Sequence, residues 1–224
     1  MSWPHSRSRW APDGSRIAFY RCPSSDTLPG PCAVWTVRPD GSGQKMPSSP
    51  CPPGPRPPYC PDNAYPRYSP DGKQIAFTGI HFGFGDAPGL VVADAGLKHA
   101  RRVFWFGPST SAPFITCPAW RPDGKRLAFV VENYNGWESL PVNGTAIFSI
   151  KLDGSGLRRV MPWSVRAESS TDDCIEWSPD GTRILFHPHP GIGDDKAGRN
   201  LYTIRTEGAP AADPFRPIGR RTPA

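Results

Sequence analysis

Four copies of one ten-residue pattern run through the chain and constrain its fold more than any other feature. Each copy has an aromatic residue, one variable residue, Pro-Asp-Gly, two polar residues and an apolar triplet that ends in Phe. The copies occupy residues 10–19, 68–77, 120–129 and 177–186, and their starts lie 58, 52 and 57 residues apart. Self-similarity at this spacing is typical of arrays in which each repeat is one supersecondary unit.

Each copy predicts a tight β-hairpin. Pro fixes φ at the first corner of the turn, Asp can bond the local backbone, and Gly accepts the positive φ. In the strand that follows, the first and third residues of the apolar triplet share one face, and the middle residue takes the other.

A second hairpin follows the first in every repeat. The apolar segments 33–37, 90–93, 146–150 and 201–204 each lead into a further turn, and two of these turns have the sequence Asp-Gly-Ser-Gly. A sheet of four short antiparallel strands cannot bury both of its faces alone, so the repeats must stack on one another. Because 30 Pro and 23 Gly oppose long helices, we predict an all-β fold, a β-propeller-like array of four four-stranded antiparallel blades.

The repeats resemble those of TolB-like, or WD-like, β-propeller proteins. The resemblance rests on Tyr68-Ser-Pro-Asp-Gly-Lys73, on Trp177-Ser-Pro-Asp-Gly181 and on the later Asp-Gly-Ser-Gly turns. It implies a propeller fold across nearly the whole chain. It implies no single activity, because this repeat occurs in scaffold proteins, in peptidase propellers and in sugar-degrading enzymes.

The repeats predict one propeller domain over residues 1–224. We expect blades at about 1–50, 59–106, 107–162 and 163–224, with a Pro-rich linker at 51–58. The sequence leaves three arrangements open: a compact four-bladed ring, an open fragment of a larger ring, and half of a dimer. Exposed blade edges at both ends would invite pairing with another chain, including a homodimer.

Six cysteines bear on the cellular compartment. The first two pairs along the chain bracket loops of nine and eight residues, and the last two cysteines each lie three residues before a repeat Trp. Two loop disulfides and one inter-blade disulfide form the most economical pairing, which favours a secreted or periplasmic protein, although no signal peptide is visible. Six reduced thiols in a cytoplasmic protein are the alternative. The candidate disulfide residues are Cys22, Cys32, Cys51, Cys60, Cys117 and Cys174.

The connections between strands fall into a short set and a long set. The turns after the first and third strands of each repeat are short, and the remaining connections are long. These long-loop segments hold ten acidic and four basic residues, a net charge of −6, although the whole chain carries +6. We call the surface that they would share the long-loop face. The segments are 22–32, 47–64, 79–89, 107–115, 132–145, 162–174 and 187–200.

The long-loop face is the predicted binding surface. Long loops on a rigid scaffold commonly carry binding residues, and exposed aromatic residues suit recognition. An acidic surface favours a basic partner and disfavours nucleic acid. We therefore predict a non-catalytic scaffold that binds a protein or peptide without a cofactor, and no apolar run approaches the roughly 18 residues of a membrane span. The candidate partner-binding residues are Phe82, Phe84, Tyr134, Trp137, Trp163, His187, His189 and Asp194.

A metal-assisted carbohydrate-active enzyme of the lyase type is the alternative, as is the propeller fragment of a larger hydrolase. His187 and His189 follow the fourth repeat, and Asp194 and Asp195 lie in the same segment. Imidazole and carboxylate groups together can hold a metal ion, and the TolB-like resemblance implies that some related lyases use such a site. No Gly-x-Ser-x-Gly motif is present, so the chain is not a complete propeller-bearing serine peptidase.

Overall fold

A computed structural model describes residues 8–21, 33–45, 62–80, 89–106, 113–133, 144–161, 164–165, 174–186, 201–206 and 216–217. Within these residues the regular structure is β throughout, with sixteen strands in four antiparallel sheets and no helix. Consequently, no described segment is a helix able to cross a membrane. The predicted all-β class is confirmed.

The four sheets follow one another along the chain, and each is built from one repeat. The first contains β1 (Arg9–Trp10), β2 (Ile17–Arg21) and β3 (Ala33–Val37). The second contains β4 (Asp62–Tyr68), β5 (Gln74–Ile80), β6 (Gly89–Asp94) and β7 (Arg101–Trp105). The third contains β8 (Phe114–Trp120), β9 (Arg126–Asn133), β10 (Gly144–Lys151), β11 (Arg158–Arg159) and β12 (Ser164–Val165). The fourth contains β13 (Glu176–Trp177), β14 (Arg183–Phe186), β15 (Tyr202–Arg205) and β16 (Arg216–Pro217).

Two sheets differ from the predicted four strands. In the described residues the first sheet has three strands, and a single bridge between Thr36 and Lys45 stands at the edge where a fourth would begin. In the third sheet β11 and β12 both pair with β10, at opposite ends of that strand. Because β12 belongs to the third sheet, strand pairing in this blade extends past residue 162, the predicted blade end.

The Pro-Asp-Gly turns have the predicted geometry. In the second repeat the Gly72 N–H donates to the carbonyl of Ser69 at 2.9 Å, and Gly72 has a φ of 70°. The Ser69 hydroxyl donates to the Asp71 carboxylate at 2.6 Å, and the Lys73 N–H donates to the same oxygen at 3.0 Å. The aspartate is therefore the hub of the turn, and the glycine supplies a conformation that other residues rarely adopt.

The turn of the fourth repeat predicts a dependence of stability on acid. Hydrogen bonds from the Ser178 hydroxyl and from Thr182 lower the pKa of Asp180 from 3.8 to about 2. A carboxyl group whose pKa is lowered by folding stabilises the folded state at any pH above the pKa it has in the unfolded chain. This contribution is lost as the pH falls towards the pKa that the group has in the folded protein. We expect the melting temperature to fall between pH 4 and pH 2, and to fall less steeply in Asp180→Asn. Equal slopes in the two proteins would contradict this assignment.

The blades stack through a contact that repeats along the chain. We call the face with the first and third residues of the apolar triplet the leading face of a blade, and the opposite face its trailing face. Ile75 and Phe77 on the leading face of the second blade are fully buried in one cluster with Ala18 and Val34 on the trailing face of the first. The next two contacts have the same form. Leu127 and Phe129 of the third blade pack with Ala76 and Leu90 of the second. Ile184 and Phe186 of the fourth blade pack with Ala128 and Val130 of the third.

The described blades form a consecutive stack. The first strands of successive sheets pack side by side, β1 on β4, β4 on β8 and β8 on β13. Within the described part of the chain, no comparable packing joins the first sheet to the fourth. The leading face of the first blade and the trailing face of the fourth therefore end the stack that the described residues form.

Candidate recognition site

Strand register assigns the short turns and the long connections to opposite edges of the sheets. In the second sheet Asp62 lies opposite Ile80, and Gly89 lies opposite both Gly79 and Trp105. The strand ends that flank long segments therefore meet at one edge. The third sheet has the same arrangement, because Glu132 lies opposite both Phe114 and Thr145. This register agrees with the predicted division into a turn edge and a long-loop face.

Most of the predicted site residues lie outside the described residues. All eight partner-binding candidates do so, as do Asp195 and the four cysteines of the two loop disulfides. Their roles remain predictions. Among the residues that the structure describes, no group of three or more His, Cys, Asp or Glu side chains could hold a metal ion. The residues in question are Phe82, Phe84, Tyr134, Trp137, Trp163, His187, His189, Asp194, Asp195, Cys22, Cys32, Cys51 and Cys60.

A buried polar group forms the base of the long-loop face in the third blade. Glu132 is only 7% exposed, and the Thr116 hydroxyl donates to its carboxylate at 2.9 Å. Asn133 and Thr145, at the adjoining strand ends, are buried as well. The inclusion of Glu132 among the acidic loop residues was therefore wrong, because this residue belongs to β9. Burying a carboxyl group costs hydration free energy that hydrogen bonds must compensate. The hydrogen bond between Thr116 and Glu132 therefore fixes the end of β9 beside the segment 134–143.

A disulfide joins the third and fourth blades close to their first strands. It links Cys117 in β8 to Cys174 just before β13, with 5.1 Å between the Cα atoms. Cys117 is fully buried and has a φ of 51°, at a bulge between Thr116 and Ala119. This is the inter-blade pair of the predicted cysteine framework. It links the two blades covalently.

The turn edge between the third and fourth blades contains a cationic pocket that sequence reasoning missed. Arg121 occupies the position that Ser69 and Ser178 take in other repeats. Its Nε donates to the Gly181 carbonyl at 3.2 Å, and its guanidinium lies 5.8 Å from the Trp177 ring centroid. Three guanidinium groups and one carboxylate in a cavity of about 450 Å³ suit an anionic group. The departure from serine at position 121 was the available signal. The lining residues are Arg121, Asp180, Gly181, Thr182, Arg183 and Arg205.

Comparison with known proteins bears on the fold. No protein-family model matches the chain. An oligogalacturonate lyase solved with manganese aligns with a TM-score of 0.60, at 14% identity over 95% of this chain and 51% of that one. A putative TolB of Agrobacterium tumefaciens aligns with a TM-score of 0.52, at 16% identity over 81% of this chain and 57% of that one. The chain has a TolB-like β-propeller fold.

Two further comparisons show how far this similarity extends. The propeller domain of the trilobed protease from Pyrococcus furiosus aligns with a TM-score of 0.52, at 13% identity over 92% of this chain and 55% of that one. In sequence, the uncharacterized peptidase YuxL of Bacillus subtilis strain 168 is 32% identical over 103 residues, which are 46% of this chain and 14% of that protein. The chain thus spans about half the length of these solved chains and a small part of the peptidase.

In this TolB-like propeller, the described turn-edge carboxylates are engaged by the turns themselves. The Ser15 N–H donates to Asp13 at 2.9 Å and holds its pKa below the usual value. The Ser69 hydroxyl does the same for Asp71. These acids are committed to local structure. Most of the remaining acidic residues lie in the long-loop segments.

Proposed function

We propose that this TolB-like propeller is a recognition scaffold whose long-loop face binds a basic peptide or a basic segment of a protein partner. The observation that carries the proposal is the strand register, which directs the described ends of the long connections to one edge of a rigid stack. Loops held by such a scaffold can present binding groups in a fixed arrangement.

The charge distribution supports a basic partner. Without Glu132 and Asp62, which belong to strands β9 and β4, the long-loop segments still hold eight acidic and four basic residues. The remainder of the chain is strongly basic, so a basic segment would be attracted to one face and repelled by the others. Such complementarity speeds association and determines orientation, and salt weakens it. Aromatic residues of the same segments, Phe84, Trp137 and Trp163, are the proposed anchors.

We also propose an extracytoplasmic location. The disulfide between Cys117 and Cys174 supports it, because such bonds persist in oxidising compartments and are rare in the cytosol.

Binding of a defined cationic peptide tests the proposal. The probe is a fluorescein-labelled peptide of alternating Lys and Ser, and a Glu-Ser peptide is its anionic counterpart. We expect the cationic peptide to bind with a salt-dependent affinity and the anionic peptide not to bind. The variant Asp172→Asn/Asp173→Asn/Asp194→Asn/Asp195→Asn should bind roughly 4- to 30-fold more weakly, because each partly screened charge contributes about 0.2–0.5 kcal/mol.

The control for this experiment is Glu176→Gln. Glu176 is an exposed acid on β13 outside the long-loop segments. Its replacement should leave the affinity within about twofold of the parent protein, since a single screened charge outside the long-loop segments contributes little. If the fourfold variant binds as tightly as Glu176→Gln, the acidic loops are not the binding surface.

The lyase-type alternative is tested on the same protein. Oligogalacturonate, the substrate in the name of one structural neighbour, is incubated with the protein and manganese, with or without a chelator. The scaffold proposal predicts no cleavage. Cleavage that the chelator abolishes, and that His187→Ala also abolishes, would overturn it in favour of a metal-assisted enzyme.

A further inference from the structure

The two end faces of the blade stack are more exposed to solvent than the equivalent faces between blades. On the leading face of the first blade, Ile17 and Phe19 are only half-buried, as are Trp35 and Val37 beside them. The residues that correspond to Ile17 and Phe19 in the other blades are 0–5% exposed, because a preceding blade covers them. The first blade thus carries an apolar packing surface that no described blade covers.

Trp10 extends this surface and carries a hydrogen-bond donor, its indole N–H. It lies opposite Ile17 in the register, and it is 59% exposed. The equivalent Trp120 is 8% exposed, and its indole N–H donates to the Arg67 carbonyl of the preceding blade at 2.9 Å. The indole N–H of Trp177 donates to the Ala119 carbonyl in the same way at 3.1 Å. In the described part of the chain the indole of Trp10 has no such acceptor.

The trailing face of the fourth blade is the complementary surface. Leu185 lies there opposite Thr203, at the positions where the first blade has Ala18 opposite Thr36. Ala18 and Thr36 are fully buried by the next blade, whereas Leu185 and Thr203 are half-buried. Leu201, two residues before Thr203, is 46% exposed.

The carbonyl that Trp10 would need is present at this trailing face. Arg67 and Ala119 each precede the repeat aromatic residue of their own blade by one position. The corresponding residue of the fourth blade is Glu176. Tyr68, the repeat aromatic of the second blade, has no indole, and its hydroxyl has no hydrogen-bond partner in the described residues. This indole-to-carbonyl hydrogen bond is therefore expected only in blades whose repeat aromatic residue is Trp.

We propose that a second copy of this chain covers both end faces, so that the first blade of each copy packs on the fourth blade of the other. The Trp10 indole N–H then donates to the Glu176 carbonyl of the second copy. Each contact continues the blade-to-blade interface that the chain already contains three times. Two such contacts close a ring of eight blades, within the usual range of about four to eight.

A second copy fits these faces because one chain carries both halves of the contact. A head-to-tail contact between unlike faces closes into a ring when the rotation permits it. The alignment with this chain spans about half the length of each of the three solved chains. Two copies would thus supply about as much propeller as one of those chains. These end faces are distinct from the proposed long-loop binding face.

Mass measurement with single variants tests the proposal. Size-exclusion chromatography with light scattering should give twice the chain mass of 24.5 kDa. Trp10→Arg on the leading face and Leu201→Arg on the trailing face should each give the single-chain mass. Trp10 is 59% exposed and Leu201 is 46% exposed, so neither variant should unfold the blade, which circular dichroism checks. The matched control is Leu157→Arg, at a residue that is 42% exposed in the third blade, and it should keep the double mass.

Mixing the two monomeric variants separates head-to-tail packing from other dimers. A copy with Trp10→Arg retains its trailing face, and a copy with Leu201→Arg retains its leading face. Their mixture has one intact contact and should recover the mass of two chains. A single-chain mass for the parent protein would overturn the proposal. So would a dimer that only one of the two variants disrupts, because a dimer between like faces needs only one surface.

Discussion

Replacing Phe129 with Ala will lower the free energy of unfolding by about 3–5 kcal/mol, the usual cost of truncating a fully buried aromatic residue. Phe129 is 0% exposed on the leading face of the third blade. Its ring centroid lies 5.4 Å from that of Phe104 and 6.0 Å from that of Phe148. It also packs against the second blade, so its loss weakens one blade and one interface at once. Urea unfolding followed by Trp fluorescence gives the value.

Phe19→Ala is the matched control for this experiment. Phe19 has the same place in its repeat, but it lies on the uncovered leading face of the first blade and is half-buried. We expect its truncation to cost about 1–2 kcal/mol, since less apolar area is lost from the interior. Both substitutions should be made in Leu201→Arg, so that a second copy does not cover Phe19. A loss below about 1 kcal/mol for Phe129→Ala would contradict the described packing.

Removing the Cys117–Cys174 disulfide will cost the second-largest amount of stability. The bond closes a chain segment with a sequence separation of 57 residues. Cross-links over such loops typically stabilise a protein by about 2–4 kcal/mol, largely by restricting the unfolded chain. We expect Cys117→Ala/Cys174→Ala to lose this amount in urea unfolding.

The control for the disulfide is urea unfolding of the parent protein and of the same double variant, each measured with and without reductant. If this pair supplies the stability, reductant should destabilise the parent protein more than the variant. Equal urea midpoints for the oxidised parent and the variant would mean that the pair contributes nothing, and peptide mapping without reductant would then show whether the bond forms.

The sequence predicted the local structure of the blades because their chemistry is local. The Pro-Asp-Gly turns depend on neighbouring groups such as Ser69 and Asp71, which lie two residues apart. Alternation along a strand then assigned Phe129 to a packing face and Ala128 to the opposite one. The register that separates the turn edge from the long-loop edge follows from these same hairpins.

Other features could not be predicted, because they depend on contacts between distant residues. Glu132 was counted as a loop acid, since the sequence does not show that Thr116 lies beside it in the sheet. The Arg121 pocket exists only because the turn of the next blade lies within reach. In the third sheet, β11 and β12 pair with opposite ends of β10, and this pairing depends on the length of β10.

Hydrogen–deuterium exchange in the presence of the Lys-Ser peptide tests most directly whether the long-loop face is the binding surface. We expect slower exchange in the segments 134–143 and 187–200 when the peptide is bound, and unchanged exchange in the turns at 12–15 and 122–125. Slower exchange confined to the turn edge, around 121–125 and 180–183, would instead place the binding site on the opposite face and would contradict a long-loop binding surface.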